Sequence, residues 1–156
     1  MSEAITIQSL WNTKFPTQTE EQSLSDIVGS AKYLVVYFYP KDSTPGCTNE
    51  AKAFQEHLAT LQSLDTAIVG VSRDSVGSHQ KFSTKYNLEF PLLSDKESQV
   101  CNAFGVIKEK SMFGKLGFGI ERSTFLLDNE GNLLKEWRKV KVAEHAEAVI
   151  EAIKAL

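Results

Sequence analysis

The residues best placed to do chemistry lie in "FYPKDSTPGCTNEAKAF", residues 38–54, where Cys47 follows Thr44, Pro45 and Gly46. Proline tolerates the first position of a helix and threonine can cap the free amides of a first turn. A helix is therefore expected to begin near Pro45, with Cys47 in its opening turn. Amides pointing out of a helix N-terminus, with the partial positive charge of the dipole, favour an anion, and the thiolate is the nucleophilic form of cysteine. Gly46 lets another group come close to the backbone, and the Thr44 hydroxyl can turn toward the same spot. An ordinary cysteine is a small buried hydrophobe; this one stands where a reactive thiol would be built. Dithiol exchange is disfavoured, because threonine occupies position 44, where a C-x-x-C pair would need its first cysteine. A thiolate beside a hydroxyl and backbone N–H groups can instead attack a small electrophile whose leaving oxygen needs hydrogen bonds. A peroxide is such a molecule.

Other polar side chains read more plainly. Glu50 lies one turn along the same helix face as Cys47, where an acid favours the N-terminal dipole; capping alone accounts for it, and a site-orienting role is the alternative. His57, His79 and His145 stand in polar or helical contexts without ligand partners at useful spacing, and are expected at the surface. Cys101, in "SQVCNAF", is flanked by Val100 and Phe104 in a short helix, as an inert half-buried cysteine would be. No His or Cys sits near either cysteine at a zinc-like spacing, so no metal site is expected.

The elements that must position Cys47 follow from periodicity. The run "YLVVYFY", Tyr33 to Tyr39, is β-branched and aromatic with no polar break, as suits a central strand covered on both faces. Ala51, Phe54, Leu58 and Leu61 recur at helical spacing, predicting one helix from near Pro45 to near Ser63. A strand at "AIVGVS" follows, then a polar segment with Phe82 and Tyr86 four apart, then "FPLLSD" (Phe90 to Asp95). Lys108 to Ser123, with three glycines and weak periodicity, reads as a long loop. "STFLLD" and "NLLKEWRKV" flank "NEG" as a hairpin would, and the closing helix keeps Ala146, Val149, Ile150 and Ile153 on one face. Alternating β and α elements ending in a hairpin and a helix imply an α/β fold, a thioredoxin-like three-layer sandwich with a mixed central sheet. The 156 residues suit a single domain, 1–156.

Composition excludes several function classes. A net charge of −3 with scattered Lys and Arg offers no surface for nucleic acid, and "KEWRKVK" alternates like a solvated strand face. No apolar run approaches membrane-spanning length, and "MSEAITIQSLWNTKF" lacks a basic leader with a long apolar stretch, so a cytoplasmic location is expected. Two cysteines are too few for a disulfide scaffold.

Taken as a whole, "YPKDSTPGCTNEAKAF" resembles the active-site segment of the peroxiredoxins. It is most similar to the Q-type or bacterioferritin-comigratory-protein group, whose pattern of Pro, three residues, Thr or Ser, two residues and Cys falls here on Pro40, Thr44 and Cys47. The likeness runs on through "FPLLSD", "AFGV", "GIERSTFLLD" and "WRKVKV" to the last helix. It implies the peroxiredoxin fold, Cys47 as the peroxidatic cysteine, Thr44 as a hydrogen-bond partner of the peroxide, and Pro40 as a shield against water. Arg122, which by itself reads as a surface arginine at a loop end, matches the family's active-site arginine; Arg73 and Arg138 do not match and stay structural. One departure matters. Relatives carry a resolving cysteine at the position of Lys52 or near that of Ser83, and this chain has neither.

The resemblance thus implies a thiol peroxidase for hydrogen peroxide and organic, including alkyl, hydroperoxides, working through a Cys47 sulfenic acid without metal or organic cofactor. An outside thiol (thioredoxin, glutaredoxin or glutathione) would resolve it, in a monomer or, second, a dimer. Two alternatives stand beside this: a two-cysteine cycle using Cys101, and a peroxide-sensing or chaperone-like module on the same fold.

Overall fold

Two short helices open the chain, α1 (Ile7–Leu10) and α2 (Leu24–Val28), in a computed structural model that describes residues 6–112 and 115–156. Both start on capping boxes, Thr6 with Ser9 and Ser23 with Asp26, which satisfy amides that a helix this short would otherwise leave bare. The apolar run becomes β1 (Tyr33–Phe38), buried from Leu34 onward.

Where one helix was expected from Pro45 to Ser63 there are two, α3 (Pro45–Glu56) and α4 (Leu58–Ser63). The break is at His57, at φ −98° and ψ 8°. Its amide still donates to Ala53 O at 3.2 Å and its carbonyl accepts from Leu61 N at 3.0 Å, so hydrogen bonding carries across. Its ring meets Glu147 at 3.1 Å, a partner distant in sequence.

Next come β2 (Thr66–Ser72), α5 (Val76–Tyr86), β3 (Leu92–Ser94) and α6 (Gln99–Phe104). The expected loop from Lys108 to Ser123 is instead mostly a two-stranded ribbon, β4 (Ile107–Met112) and β5 (Lys115–Ile120), paired antiparallel. Its glycines hide the alternation, because ladder bonds between backbones need no apolar side chains. Residues 113–114 lie outside the described ones. β6 (Ser123–Asp128) and β7 (Leu133–Trp137) form the expected hairpin, with Gly131 at φ +84° in its turn, and α7 (His145–Lys154) buries Ala146, Val149, Ile150 and Ile153 as its pattern requires.

The main sheet runs β3-β2-β1-β6-β7, parallel through β3, β2 and β1 and antiparallel at β6 and β7. Alternation along β1 divides the core. Leu34, Val36 and Phe38 pack with side chains of α1, α2 and α6; Val35 and Tyr37 pack with those of α3, α4, α5 and α7. Each large side chain so buried contributes about 1.5–3 kcal/mol. The result is the expected three-layer α/β sandwich around a mixed sheet. Among the described residues, no helix is long and apolar enough to cross a membrane.

Two of the three histidines expected at the surface are core residues. His79 is fully buried, with Nδ1 2.7 Å from Asp42 Oδ2 and Nε2 3.1 Å from Leu93 O, and buried His145 meets Thr124 Oγ1 at 2.8 Å. A polar ring can be buried when both its polarity and its shape are matched, and the matching groups here come from remote parts of the chain.

Candidate active site

β1 delivers the chain to an exposed Pro40, a four-residue turn follows, and α3 begins at Pro45 with Thr44 as its N-cap residue. The Thr44 side chain does not cap the helix, contrary to expectation. Its hydroxyl donates to Lys41 O at 2.8 Å and so braces the turn instead. The first α3 amide with a backbone acceptor is that of Thr48, to Thr44 O at 2.8 Å. Among the described residues, the Gly46 and Cys47 amides make no hydrogen bond, which leaves them for a ligand at the positive end of the helix.

Cys47 is 1% exposed and packs in the cluster with Tyr37, Ala51 and Phe54. Arg122, between β5 and β6, reaches it from the start of β6, which pairs beside the end of β1. Nη2 donates to Cys47 Sγ at 3.4 Å while Nη1 donates to Glu50 Oε1 at 2.7 Å. The Arg122 carbonyl accepts from Val140 N at 2.9 Å, fixing the backbone that carries the guanidinium. Gly46 makes room for it: a Cβ there would stand 3.1 Å from Arg122 Nη2. The close approach expected at Gly46 is thus made by Arg122.

The electrostatics follow from burial and pairing. Burial pushes the Glu50 carboxyl up to about 7, against the pull of the Arg122 charge and hydrogen bond. For Arg122, burial works against charge, but Glu50 and then Cys47 outweigh it and hold the guanidinium above its ordinary value. Glu50 is therefore more than a helix cap: it is buried and tied to the arginine.

A second polar group holds the turn. Asp42 Oδ1 accepts from the Tyr39 hydroxyl at 2.6 Å, and Oδ2 accepts from Ser78 Oγ at 2.8 Å and lies 2.7 Å from His79 Nδ1. The Asp42 amide donates to Asp74 Oδ2 at 2.9 Å. Leu93 O can only accept, so His79 Nε2 donates to it. Asp42, Asp74 and His79 also offer ligand atoms within 4.8 Å of one another; Asp42 and His79 already spend theirs on hydrogen bonds within the group. Sequence reasoning missed Asp42 and His79, although an aspartate between Pro40 and Thr44 was a visible signal.

Cys101 does not join the site. It is fully buried in the cluster on the other face of the sheet from Cys47, with its amide donating to Asp95 Oδ2 at 2.8 Å. Burial, and then the charge of Asp95, push its thiol far above the ordinary cysteine range. Lys52 is exposed on α3, and the Ser83 hydroxyl donates to Leu88 O at 3.1 Å.

A family model described as the AhpC/TSA family matches residues 8–135. The chain is 57% identical over 123 residues to Peroxiredoxin Bcp of Xanthomonas campestris pv. campestris, covering 79% of this chain and 77% of the relative. It is 53% identical over 135 residues to Peroxiredoxin Bcp of Bacillus subtilis, covering 86% and 85%. The solved Xanthomonas campestris bacterioferritin comigratory protein, described for its alkyl peroxide reduction activity, superposes with a TM-score of 0.87 at 48% identity, covering 94% of this chain and 93% of that one.

Proposed function

Because this chain belongs to the AhpC/TSA family, as a peroxiredoxin of the Q-type or bacterioferritin-comigratory-protein group, we propose that it reduces hydrogen peroxide and alkyl hydroperoxides with Cys47 as the nucleophile. The observation that carries this is the Arg122 fork, which places a fixed cation on the sulfur at 3.4 Å and anchors its other arm on Glu50 at 2.7 Å. Sulfur attacks one peroxide oxygen in line, the O–O bond breaks, and Cys47 becomes a sulfenic acid. Arg122 stabilises the thiolate and the charge moving onto the leaving oxygen, where preorganised donors are worth most. The free Gly46 and Cys47 amides and the lone pairs of Thr44 Oγ1 orient the two oxygens, and Pro40 covers the approach. Alkyl peroxide reduction by the Xanthomonas relative supports alkyl substrates here.

The sulfenic acid is resolved from outside, by thioredoxin, glutaredoxin or glutathione, because Lys52 and Ser83 stand where relatives keep a second thiol and Cys101 lies across the sheet. The test is peroxide consumption with excess thiol. The parent protein should turn over continuously and Cys47→Ser should consume nothing. Consumption that stops after one equivalent would mark a sensor, and turnover retained in Cys47→Ser would remove Cys47 from the chemistry.

A further inference from the structure

Two acidic groups of the site share one cation. Arg122 serves both Glu50 and Cys47, each 1% exposed. A thiolate and a carboxylate together would leave the pocket one negative charge in excess, which burial strongly disfavours, so one proton stays with the pair. The carboxyl is the better place for it. Among the described residues, Glu50 Oε2 is buried without a hydrogen-bond partner, and an orphaned oxygen is less costly on a neutral acid than on an anion. The other groups around the trio are neutral. Tyr37 on β1, whose buried hydroxyl is likewise unpartnered, is kept protonated by burial. His145 on α7, beyond Arg122, is lowered to about 4 by burial and by the Arg122 charge.

Resting on the peroxidase reading above, we propose that Glu50 stores the proton of the reduced site and releases it when Cys47 is oxidised, so that the leaving oxygen is protonated from within. Cys47 sulfur forms the new S–O bond as the O–O bond breaks; sulfur is oxidised, the hydroperoxide is reduced, and the leaving group departs as RO⁻. The negative charge has then gone from sulfur, Arg122 is left to Glu50 alone, and the carboxylate becomes the favoured form. Its proton passes to RO⁻, giving an alcohol or, from hydrogen peroxide, water. Thiolate, carboxylic acid and ROOH thus become sulfenic acid, carboxylate and ROH, with atoms and charge conserved. The outside thiol that restores Cys47 restores the proton to Glu50. A Glu50 carboxyl pushed up to about 7 by burial is suited to both states.

The test counts protons. The full-length protein is oxidised with one equivalent of cumene hydroperoxide in weak buffer with a pH indicator, about one unit below the Glu50 pKa of about 7, beside Glu50→Gln. Glutamine keeps a carbonyl acceptor for Arg122 but has no proton to give. The parent should take up almost no proton per sulfenic acid formed and Glu50→Gln about one. The parent oxidation rate should also fall as pH rises through about 7, a step that Glu50→Gln should lack. A purely orienting Glu50 would change the rate but not the proton count. Equal counts in the two proteins, or the same pH step in both, would overturn the proposal. So would a full proton taken up by the parent while its ultraviolet absorbance shows thiolate. If neither protein consumes hydroperoxide, the peroxidase reading itself fails; consumption with equal counts removes only the role given to Glu50.

Discussion

Arg122 joins two acidic groups with two arms, and that geometry decides what each substitution does. Arg122→Lys keeps the charge but not the planar fork, so it cannot hold Glu50 and Cys47 together; Arg122→Met loses both. Second-order rates of Cys47 oxidation should fall in that order, by ~2–4 kcal/mol of transition-state stabilisation for the methionine. Unchanged rates in both variants would return Arg122 to a structural role. Gly46→Ala makes the same point by steric means. Its Cβ would stand 3.1 Å from Nη2, so the guanidinium must shift by a few tenths of an ångström and the oxidation rate should drop less than in Arg122→Met. The folded state also favours a neutral Glu50: its carboxyl lies at about 7 rather than 4.5. The stability this contributes is fully present below about 4.5 and is lost as pH rises through about 7, with a ceiling of ~3 kcal/mol. Urea midpoints across that window should decline in the parent and stay flatter in Glu50→Gln.

At the scale of elements, the turn that leads to Cys47 is held by α5 through the buried Asp42 and His79 pair. His79→Ala leaves Asp42 buried with one partner fewer, which should cost about 3–5 kcal/mol and lower the denaturant midpoint sharply. A loss below about 1 kcal/mol would show that the Ser78 and Tyr39 hydroxyls alone hold the turn. β1 and β2 meet closely beneath α3, where Gly70 lies against the Tyr37 ring: a Cβ at 70 would stand 2.9 Å from Tyr37 Cζ and Oη and 3.0 Å from Leu92 Cδ2. Gly70→Ala should therefore destabilise by about 1–3 kcal/mol through overpacking. His145 adds an acid limit. Its neutral form is favoured, so the stability it contributes is present above 6.5 and lost as pH falls through about 4.

For the molecule as a whole, the sheet separates the two thiols. Cys47 packs with Val35 and Tyr37 and Cys101 with Leu34, Val36 and Phe38, on opposite faces of β1. A disulfide needs Cα atoms within ~7 Å, so the Cys47–Cys101 bond would require local unfolding. One equivalent of peroxide without added thiol should give a protein heavier by one oxygen, whereas a mass lower by two hydrogens would establish the two-cysteine cycle. The strands of the main sheet, the final hairpin, the amphipathic last helix and a cysteine in the first turn of a helix were legible in the sequence, because periodicity and helix-start signals are local properties of neighbouring residues. The glycine-bearing ribbon from Ile107 to Ile120 was not legible as strands, since its pairing is between backbones. The burial of His79 and His145, the turn from Asp42 to α5, and the fork from Arg122 to Glu50 join residues tens of positions apart. No local pattern encodes such pairs: Arg122 and Cys47, 75 positions apart, meet only because β6 pairs antiparallel to β1 and brings its start beside the end of the strand that leads to α3.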